Sequence, residues 1–472
     1  MRKISYIAFL FLLGAAGSLG FAPHYLWHMT AGSIGLAYYL LKDRGYGRSF
    51  WWGAGYGIAN FYWLLGPLFD PDKMHFYIAG MSALFVISGV LFGGPFALAK
   101  VTGEKGWRRT LYFALGVAFI LWMREAVLFT ILMWNPLANL ALPFPWLSNA
   151  MSVVGALGLT FIVAGAIAAI PEYFLSKSKI QFLFFVPILF FAFSAPGYRE
   201  IPSGKTVRIV QPATSVADKE NPFANDRRMA ALLELTFKDL ALTPDLIVWP
   251  ETAYPYRADM TARLMPLGAK LAFGAVYTNG DKLYNSLLYA GKNGRIADAY
   301  HKVHLVPFSE YPLFGLNSGT DFQKGAPRVV DDFVPLICYD VAYSDMLIPR
   351  SEVQRPRYII LATNTAHFDA PALVRQYVDM ARRQAIETGL PVLLANNAGM
   401  SMIIDYRGNI LQSLGMDTAG YLDGVIPPHR MTPYRQIGLN RVMLWIILLS
   451  GFVLVAFRRP RRQHTHYCHT AA

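Results

Sequence analysis

The first 196 residues consist largely of long apolar stretches joined by short polar links, and the pattern changes after that point. A helix that crosses a membrane needs about 20 mainly apolar residues. Eight segments approach or exceed this length: 4–21, 25–41, 49–69, 76–99, 110–133, 147–172, 180–196 and 439–457. The pattern therefore predicts a polytopic α-helical membrane domain with seven transmembrane helices over 1–196, a second domain over 197–438, a final transmembrane helix over 439–458 and a tail over 459–472.

Between residues 197 and 438 the apolar runs are short and are separated by turn residues, which is typical of strands. The predicted strands are 206–213, 245–251, 270–278, 285–291, 296–304, 334–340, 357–364, 391–398, 401–408 and 421–426. The predicted helices are 225–241, 257–267, 341–354 and 371–388, and hairpin turns are expected at 291–294 and 405–409. Strands that are apolar on both faces, with helices between them, indicate a layered α/β domain.

The distribution of charge supports this division and adds an orientation. Hydrophobic residues make up 54% of the chain and charged residues only 15%, against about 25% charged in ordinary soluble domains. Lysine and arginine collect at the N-terminus, at every second link between the apolar segments and after the last segment. Because basic links stay on the cytoplasmic side, both termini are expected there and the 197–438 domain outside. The net charge of +13 thus reflects membrane topology, and no basic face predicts nucleic-acid binding.

Arg124 and Glu125 interrupt the fifth apolar segment. Charges at membrane depth are costly and usually face a protein interior or an aqueous cavity. Two interpretations stay open. The two residues form an ion pair or lie at the membrane interface, or they contact a lipid headgroup or a substrate.

Cys338 and Cys468 are the only cysteines, which excludes a disulfide framework. Cys468 lies among His464, His466 and His469 in a tail that we expect to be unstructured, and no Cys/His spacing predicts a zinc site. Cys338 directly follows the apolar run "FVPLI". Its thiol is either a buried apolar group or a nucleophile, and a nucleophile needs a base and a charge-stabilising group nearby.

Two other predicted strand ends offer such groups. Glu251 follows "LIVWP", where Trp249 can shield the carboxylate from water and make it a better base. Lys302 lies among apolar and aromatic residues in "AYHKVHLVPFSEYPLF", with Glu310 eight residues later. An enclosed lysine can donate to a developing oxyanion. Each residue alone also fits an ordinary turn or surface side chain, but together with Cys338 they form an acyl-transfer constellation.

The contexts of these three residues resemble the Glu-Lys-Cys triad of the nitrilase (carbon–nitrogen hydrolase) superfamily. Seven apolar segments before that domain and one after it resemble the apolipoprotein N-acyltransferase family. The likeness covers nearly the whole chain, and the combination of motifs is highly specific. It is carried by "GFAPHYLW", "GIANFYWL", "WNPLANLALPFPWLS", "WPETAYP", "YNSLLY", "YHKVHLVPFSEYPLF", "ICYD" and "MARRQAIETGLPVLLANNAGMS".

The resemblance implies an external αββα sandwich on a membrane base, on the periplasmic side of the bacterial inner membrane. It implies that Glu251 takes the thiol proton and that Cys338 accepts an acyl chain from a phospholipid as a thioester. Lys302 and a backbone N–H beside the cysteine would hold the oxyanion. The acceptor would be the N-terminal amino group of a diacylglyceryl-cysteine lipoprotein. No metal ion and no diffusible cofactor are implied.

The resemblance also points to residues that support the triad. The resemblance implies that Glu310 orients Lys302 or Glu251, and that Tyr339 and Asp340 assist next to the cysteine. Asp340 stands where the family commonly has glutamate.

Other positions also depart from the family pattern. Thr365 and His367 stand where it often has aspartate and tryptophan, and Leu394 where it has arginine. The loop after the first strand lacks the usual tryptophan, and Phe223 is the nearest substitute. The departures at 340, 365 and 367 keep open the alternative of a relative recruited to plasmid conjugal transfer. A membrane-anchored amidase that uses water as its acceptor is a separate alternative, although seven preceding spans are more than an anchor requires.

Overall fold

The computed structural model describes residues 2–42, 47–69, 71, 74–128, 134–193, 200–201, 203–307, 309–312, 320–343, 356–366 and 370–457. The predicted unstructured tail with Cys468, most of the predicted helix 341–354, and His367 lie outside these residues.

Within the described residues, each apolar segment predicted to cross the membrane lies mainly on helical backbone. The helices of the described chain are α1 (Arg2–Ala16), α2 (Trp27–Leu40), α3 (Gly47–Phe61), α4 (Met74–Val101), α5 (Trp107–Met123), α6 (Pro145–Ser148), α7 (Met151–Ser176), α8 (Phe185–Phe193), α9 (Val216–Glu220), α10 (Asn225–Phe237), α11 (Pro371–Thr388), α12 (Pro433–Ile437) and α13 (Leu439–Ala456). Among the described residues, α4, α7 and α13 are long and apolar enough to cross a membrane. The remaining apolar segments are shorter helices, several of them extended by 3-10 turns.

Glycines allow the first helices to pack with their backbones almost in contact. A Cβ on Gly55 of α3 would overlap the Phe11 carbonyl oxygen of α1, and one on Gly53 would overlap the backbone of α4 at Gly93. Small residues at helix crossings are how membrane helices gain van der Waals contact, because lipid supplies no hydrophobic drive between them. The glycines of α3 thus allow this helix to pack closely against both α1 and α4.

The second half of the chain forms two β-sheets. Its strands are β1 (Thr206–Gln211), β2 (Leu246–Trp249), β3 (Arg257–Ala258), β4 (Lys270–Asn279), β5 (Lys282–Ala290), β6 (Ile296–His301), β7 (Phe333–Ile337), β8 (Tyr358–Thr363), β9 (Val392–Asn396), β10 (Ser401–Ile404), β11 (Ile410–Leu414) and β12 (Gly420–Val425). The first sheet has the order β12-β1-β2-β4-β5-β6, with β3 beside β4, and the second has the order β11-β10-β9-β8-β7.

The two sheets and two helices form four layers. Val207 of the first sheet and Ile360 of the second belong to the apolar core between the sheets. Leu232 of α10 packs on the outer face of the first sheet, and Ala381 of α11 packs on the outer face of the second. The predicted α/β sandwich is confirmed in this helix–sheet–sheet–helix arrangement.

The α11 layer continues into the membrane half of the chain. Trp63, Leu91 and Trp134 share one apolar core with Leu361 of β8 and Tyr377 of α11. The second sheet and its helix therefore rest on the membrane helices, while the first sheet lies further from them.

Two local predictions were wrong. Residues 257–267 do not form a helix, because Arg257–Ala258 pairs with β4 and the Asp259 carboxylate then accepts from the Thr261 and Ala262 N–H groups, closing a turn instead. The predicted strand 334–340 ends at Ile337, where Cys338 begins a 3-10 turn. Strands β3 and β11 have no counterpart among the predicted strands, because one is two residues long and the other is largely exposed.

Candidate active site

Three strand ends converge at one edge of the sandwich. Glu251 follows β2, Lys302 follows β6 and Cys338 follows β7. Since β2 is parallel to β4, and β5 is antiparallel to both β4 and β6, the carboxyl ends of β2 and β6 point the same way. The charges of Glu251 and Lys302 both act on the Cys338 thiol. The sequence-predicted base, lysine and cysteine thus lie close together at this edge, in a site that we refer to as the pocket.

Lys302 is held by two carboxylates. Its Nζ donates to Glu310 Oε1 at 2.9 Å and lies 3.5 Å from Glu251 Oε1. Asn285 Nδ2 bridges the same two oxygens, at 2.8 Å from each. Burial opposes the charge on Lys302, but the attraction of Glu310 and Glu251 outweighs it and raises the pKa of the amine. The side chain is therefore a fixed ammonium with 1% exposure.

Cys338 occupies a strained position between β7 and a 3-10 turn. Its φ is +44°, a left-handed conformation that non-glycine residues rarely adopt and that costs about 1–3 kcal/mol. Burial, and then the negative charge of Glu251, raise the pKa of its thiol to about 12, although Lys302 acts in the opposite direction. At neutral pH the sulfur is a protonated thiol, and attack requires a base to remove its proton.

The turn that carries Glu251 is fixed from two sides. Lys219 Nζ donates to the Glu251 carbonyl oxygen at 3.2 Å and to the Thr252 hydroxyl at 3.0 Å. On the other side β4 approaches so closely that a Cβ on Gly274 would lie 2.6 Å from the Glu251 Cα. These contacts fix the backbone of the turn and therefore the position of the Glu251 carboxylate.

Asp340 ties the Lys302 segment to the Cys338 segment. It is fully buried, and its carboxylate accepts from the Tyr300 hydroxyl at 2.8 Å, the His304 N–H at 2.8 Å and the Ile337 N–H at 3.2 Å. The shorter acid thus has a complete set of donors on both sides of the pocket.

Tyr339 links the pocket to the membrane half. Its ring stacks on Trp134, with centroids 5.7 Å apart and an angle of 20° between the rings. Arg124 Nη2 donates to the Trp134 carbonyl oxygen at 3.0 Å, whereas Glu125 Oε1 lies 3.4 Å from Arg383 Nη1. Both charges of the fifth apolar segment therefore have protein contacts.

The remaining sequence-predicted residues lie in other surroundings. The Trp249 indole donates to Thr236 of α10 at 3.0 Å, so it packs in the outer layer of the first sheet. The Thr365 backbone N–H and hydroxyl both donate to Asn396 Oδ1 at 3.3 Å. Leu394 is buried in β9, and the Phe223 side chain is 97% exposed.

Two contacts of the pocket are missing from the sequence prediction. Asn285 is a polar residue in a buried stretch of β5, and that break in an apolar run was the available signal. Tyr377 of α11 donates from its hydroxyl to the Cys338 carbonyl oxygen, and no local pattern in the sequence marks it. Within the described chain no group of three or more potential metal ligands occurs.

Comparisons with known proteins match both halves of the chain. The carbon-nitrogen hydrolase family matches residues 206–436, and the apolipoprotein N-acyltransferase N-terminal domain matches residues 13–169. The apolipoprotein N-acyltransferase of Rhizobium leguminosarum bv. trifolii is 30% identical over 427 residues, which cover 79% of this chain and 78% of that protein. The enzyme of the same name from Brucella melitensis biotype 1 is 29% identical over 464 residues, covering 88% and 86%.

A solved structure is also similar. A CN-hydrolase superfamily protein from Xanthomonas campestris is 21% identical and covers 48% of this chain and 91% of its own, with a TM-score of 0.38.

Proposed function

This chain belongs to the apolipoprotein N-acyltransferase family, and from that premise we propose that it moves an acyl chain from a phospholipid to the N-terminal amino group of a diacylglyceryl-cysteine lipoprotein. The acyl chain is carried as a thioester on Cys338. The observation that carries this proposal is the shared pocket of Glu251, Lys302 and Cys338, in which both charged groups act on the thiol.

In the first half-reaction Glu251 takes the proton from the Cys338 thiol while the sulfur attacks the ester carbonyl of the phospholipid. The carbonyl oxygen becomes an oxyanion, which Lys302 and the Tyr339 N–H stabilise. As the carbon–oxygen bond breaks, Glu251 returns the proton to the leaving alkoxide, and a lysophospholipid departs. The raised thiol pKa makes this general-base step necessary.

In the second half-reaction the lipoprotein amine attacks the thioester carbonyl. Glu251 takes the amine proton, the same oxyanion forms, and its collapse releases the sulfur, which regains the proton. Covalent catalysis in this way divides a difficult ester-to-amide exchange into two easier steps, and the thiolate released in the second is a good leaving group. The hydrogen bonds of Asn285 and Glu310 hold the Lys302 and Glu251 side chains in position during both half-reactions.

The topology we propose has eight membrane spans, with the boundaries predicted from the sequence and both termini in the cytoplasm. The helical backbone at each predicted span supports it, as do the three helices of sufficient length and hydropathy and the alternation of basic links. The domain 197–438 then lies on the periplasmic face of the inner membrane, where both lipid substrates are within reach.

An acyl-enzyme tests this proposal directly. The purified protein is incubated with phospholipid in detergent and its intact mass is measured, with Cys338→Ala as the matched control. We expect a mass increase of one acyl group on the wild type and none on the variant. A folded wild-type protein without an adduct would contradict the thioester mechanism.

A second measurement separates the acceptors. Adding a synthetic diacylated lipopeptide with a free N-terminal amine should discharge the thioester and give the triacylated peptide. Release of free fatty acid alone would instead identify a membrane-anchored amidase or hydrolase. Failure to rescue a strain depleted of its own acyltransferase, despite a normal adduct, would point to an acceptor in a conjugal-transfer system.

A further inference from the structure

Tyr377 is the residue of α11 that reaches the nucleophile. Its hydroxyl donates to the Cys338 carbonyl oxygen, and its side chain is 3% exposed. Burial, and then the nearby Cys338, raise the pKa of this tyrosine well above its usual value. The hydroxyl therefore stays protonated and serves as a permanent donor to that carbonyl.

The contact fixes a peptide group that would otherwise be free to rotate. Cys338 lies in the left-handed region at φ +44°, outside the regular ladder of β7, which ends at Ile337. A non-glycine residue keeps such a conformation only where its surroundings hold it. The Ile337 N–H is bound by Asp340 on the preceding side, and the Tyr339 ring is stacked on Trp134 on the following side. Tyr377 binds the carbonyl between them.

Because the peptide group is planar, fixing the Cys338 carbonyl also fixes the direction of the Tyr339 N–H. In a trans peptide the C=O of Cys338 and the N–H of Tyr339 lie in one plane and point in opposite directions. Holding the carbonyl toward α11 therefore turns the Tyr339 N–H away from α11. We propose that Tyr377 is a positioning residue that aims the Tyr339 N–H at the oxyanion formed during acyl transfer. This inference rests on the proposed function, because it assigns an orientation to that reaction's backbone donor.

The alternative role for Tyr377 is an effect on the thiol itself, and two reactions of Cys338 distinguish the two roles. Attack on an ester carbonyl forms an oxyanion, so it depends on the aimed N–H. Alkylation by iodoacetamide displaces iodide at a saturated carbon and forms no oxyanion, so it depends only on the thiol. If Tyr377 acts only on the oxyanion, losing its hydroxyl slows acylation of Cys338 and leaves the rate of its alkylation unchanged.

The test compares these rates in the full-length protein carrying Tyr377→Phe, which keeps the ring and removes the hydroxyl. We expect acyl-enzyme formation from phospholipid, followed by intact mass, to slow at least about tenfold through kcat with KM unchanged, since a lost oxyanion donor costs about 10²–10³. Alkylation of Cys338 at pH 9 should stay within about twofold of wild type. Tyr358→Phe, which removes a buried hydroxyl at the far end of β8, should leave both rates unchanged.

Each other outcome is informative. Wild-type acylation in Tyr377→Phe, or alkylation that slows as much as acylation, would overturn the positioning role. Faster alkylation, as expected of an opened pocket, would also contradict it, because the hydroxyl would then hold the fold. Absence of an adduct on the wild type would instead count against the proposed function itself.

Discussion

At the scale of single residues, Asp340 shows how a short buried acid is held by hydrogen bonds next to Cys338. The carboxylate is fully buried and receives three donors from both sides of the pocket. The length of an aspartate is therefore sufficient for the carboxylate to reach all three donors.

We predict that lengthening this acid with Asp340→Glu destabilises the protein. One extra methylene in a filled, fully buried site costs about 1–3 kcal/mol, which should appear as a lower unfolding midpoint in detergent. Asp321→Glu lengthens an exposed carboxylate and is the control. An unchanged midpoint in Asp340→Glu would show that the pocket adapts to either acid.

The raised pKa of Cys338 makes a prediction about its reactivity in the absence of substrate. Only the thiolate is alkylated, and with a pKa of about 12 the thiolate fraction grows about tenfold for each pH unit below that value. The rate of reaction with iodoacetamide should therefore keep rising from pH 7 to pH 10, when loss of unmodified thiol is followed by mass. A plateau near pH 8 or 9 would indicate an ordinary, solvated thiol.

At the scale of elements, the closeness of β4 to the Glu251 turn makes Gly274 a support for the proposed base. Gly274→Ala should push that turn away, because the new Cβ would overlap the Pro250–Glu251 backbone. We predict that acyl-enzyme formation slows by at least about tenfold, since displacements of about 1 Å cost up to 10²-fold in rate.

The control for that substitution is Gly291→Ala in the hairpin between β5 and β6. Its added Cβ would meet only the flexible end of the Asn293 side chain, at 3.3 Å. Equal losses in the two variants would mean that the sheet, and not the turn, is what alanine disturbs.

The elements also show which parts of the site a sequence can predict. Glu251 and Cys338 were found because each stands at the end of an apolar run, and Lys302 because apolar and aromatic residues flank it. This is local information that the hydrophobic pattern carries. Tyr377 lies in a helix 39 residues from Cys338, and its contact exists only because α11 packs on the second sheet. The predicted helix 257–267 failed for a related reason, because the Asp259 turn and pairing with β4 override helix propensity.

At the scale of the whole molecule, the helices of the first half and the second sheet with α11 share one apolar core and a buried network of charges. Arg383 of α11 is 2% exposed, and it lies 3.4 Å from Glu125 and 4.0 Å from Glu387. Glu387 in turn accepts from the Ala156 N–H at 2.6 Å, beside the break in α7 at Gly155.

We predict that Arg383→Met weakens the packing of α11 against the membrane helices and lowers the stability of the protein. Removing one partner of a buried ion network leaves uncompensated charge and costs about 3–5 kcal/mol, which thermal unfolding in detergent should report. Arg375→Met, an exposed position on the same helix, should leave the midpoint unchanged. Equal midpoints for the two variants would show that Glu125 and Glu387 do not depend on Arg383.

The protonated state of Cys338 also bears on how long this protein can persist in an oxidising environment. Oxidants convert a thiolate, far more readily than a thiol, to sulfenic acid and then to irreversible products. On the oxidising side of the membrane that we propose for this domain, a low-pKa cysteine would be consumed between turnovers. In the mechanism that we propose, the thiol loses its proton only when Glu251 acts on it with an ester bound. The same protonation that slows its attack would therefore protect it from oxidation between turnovers.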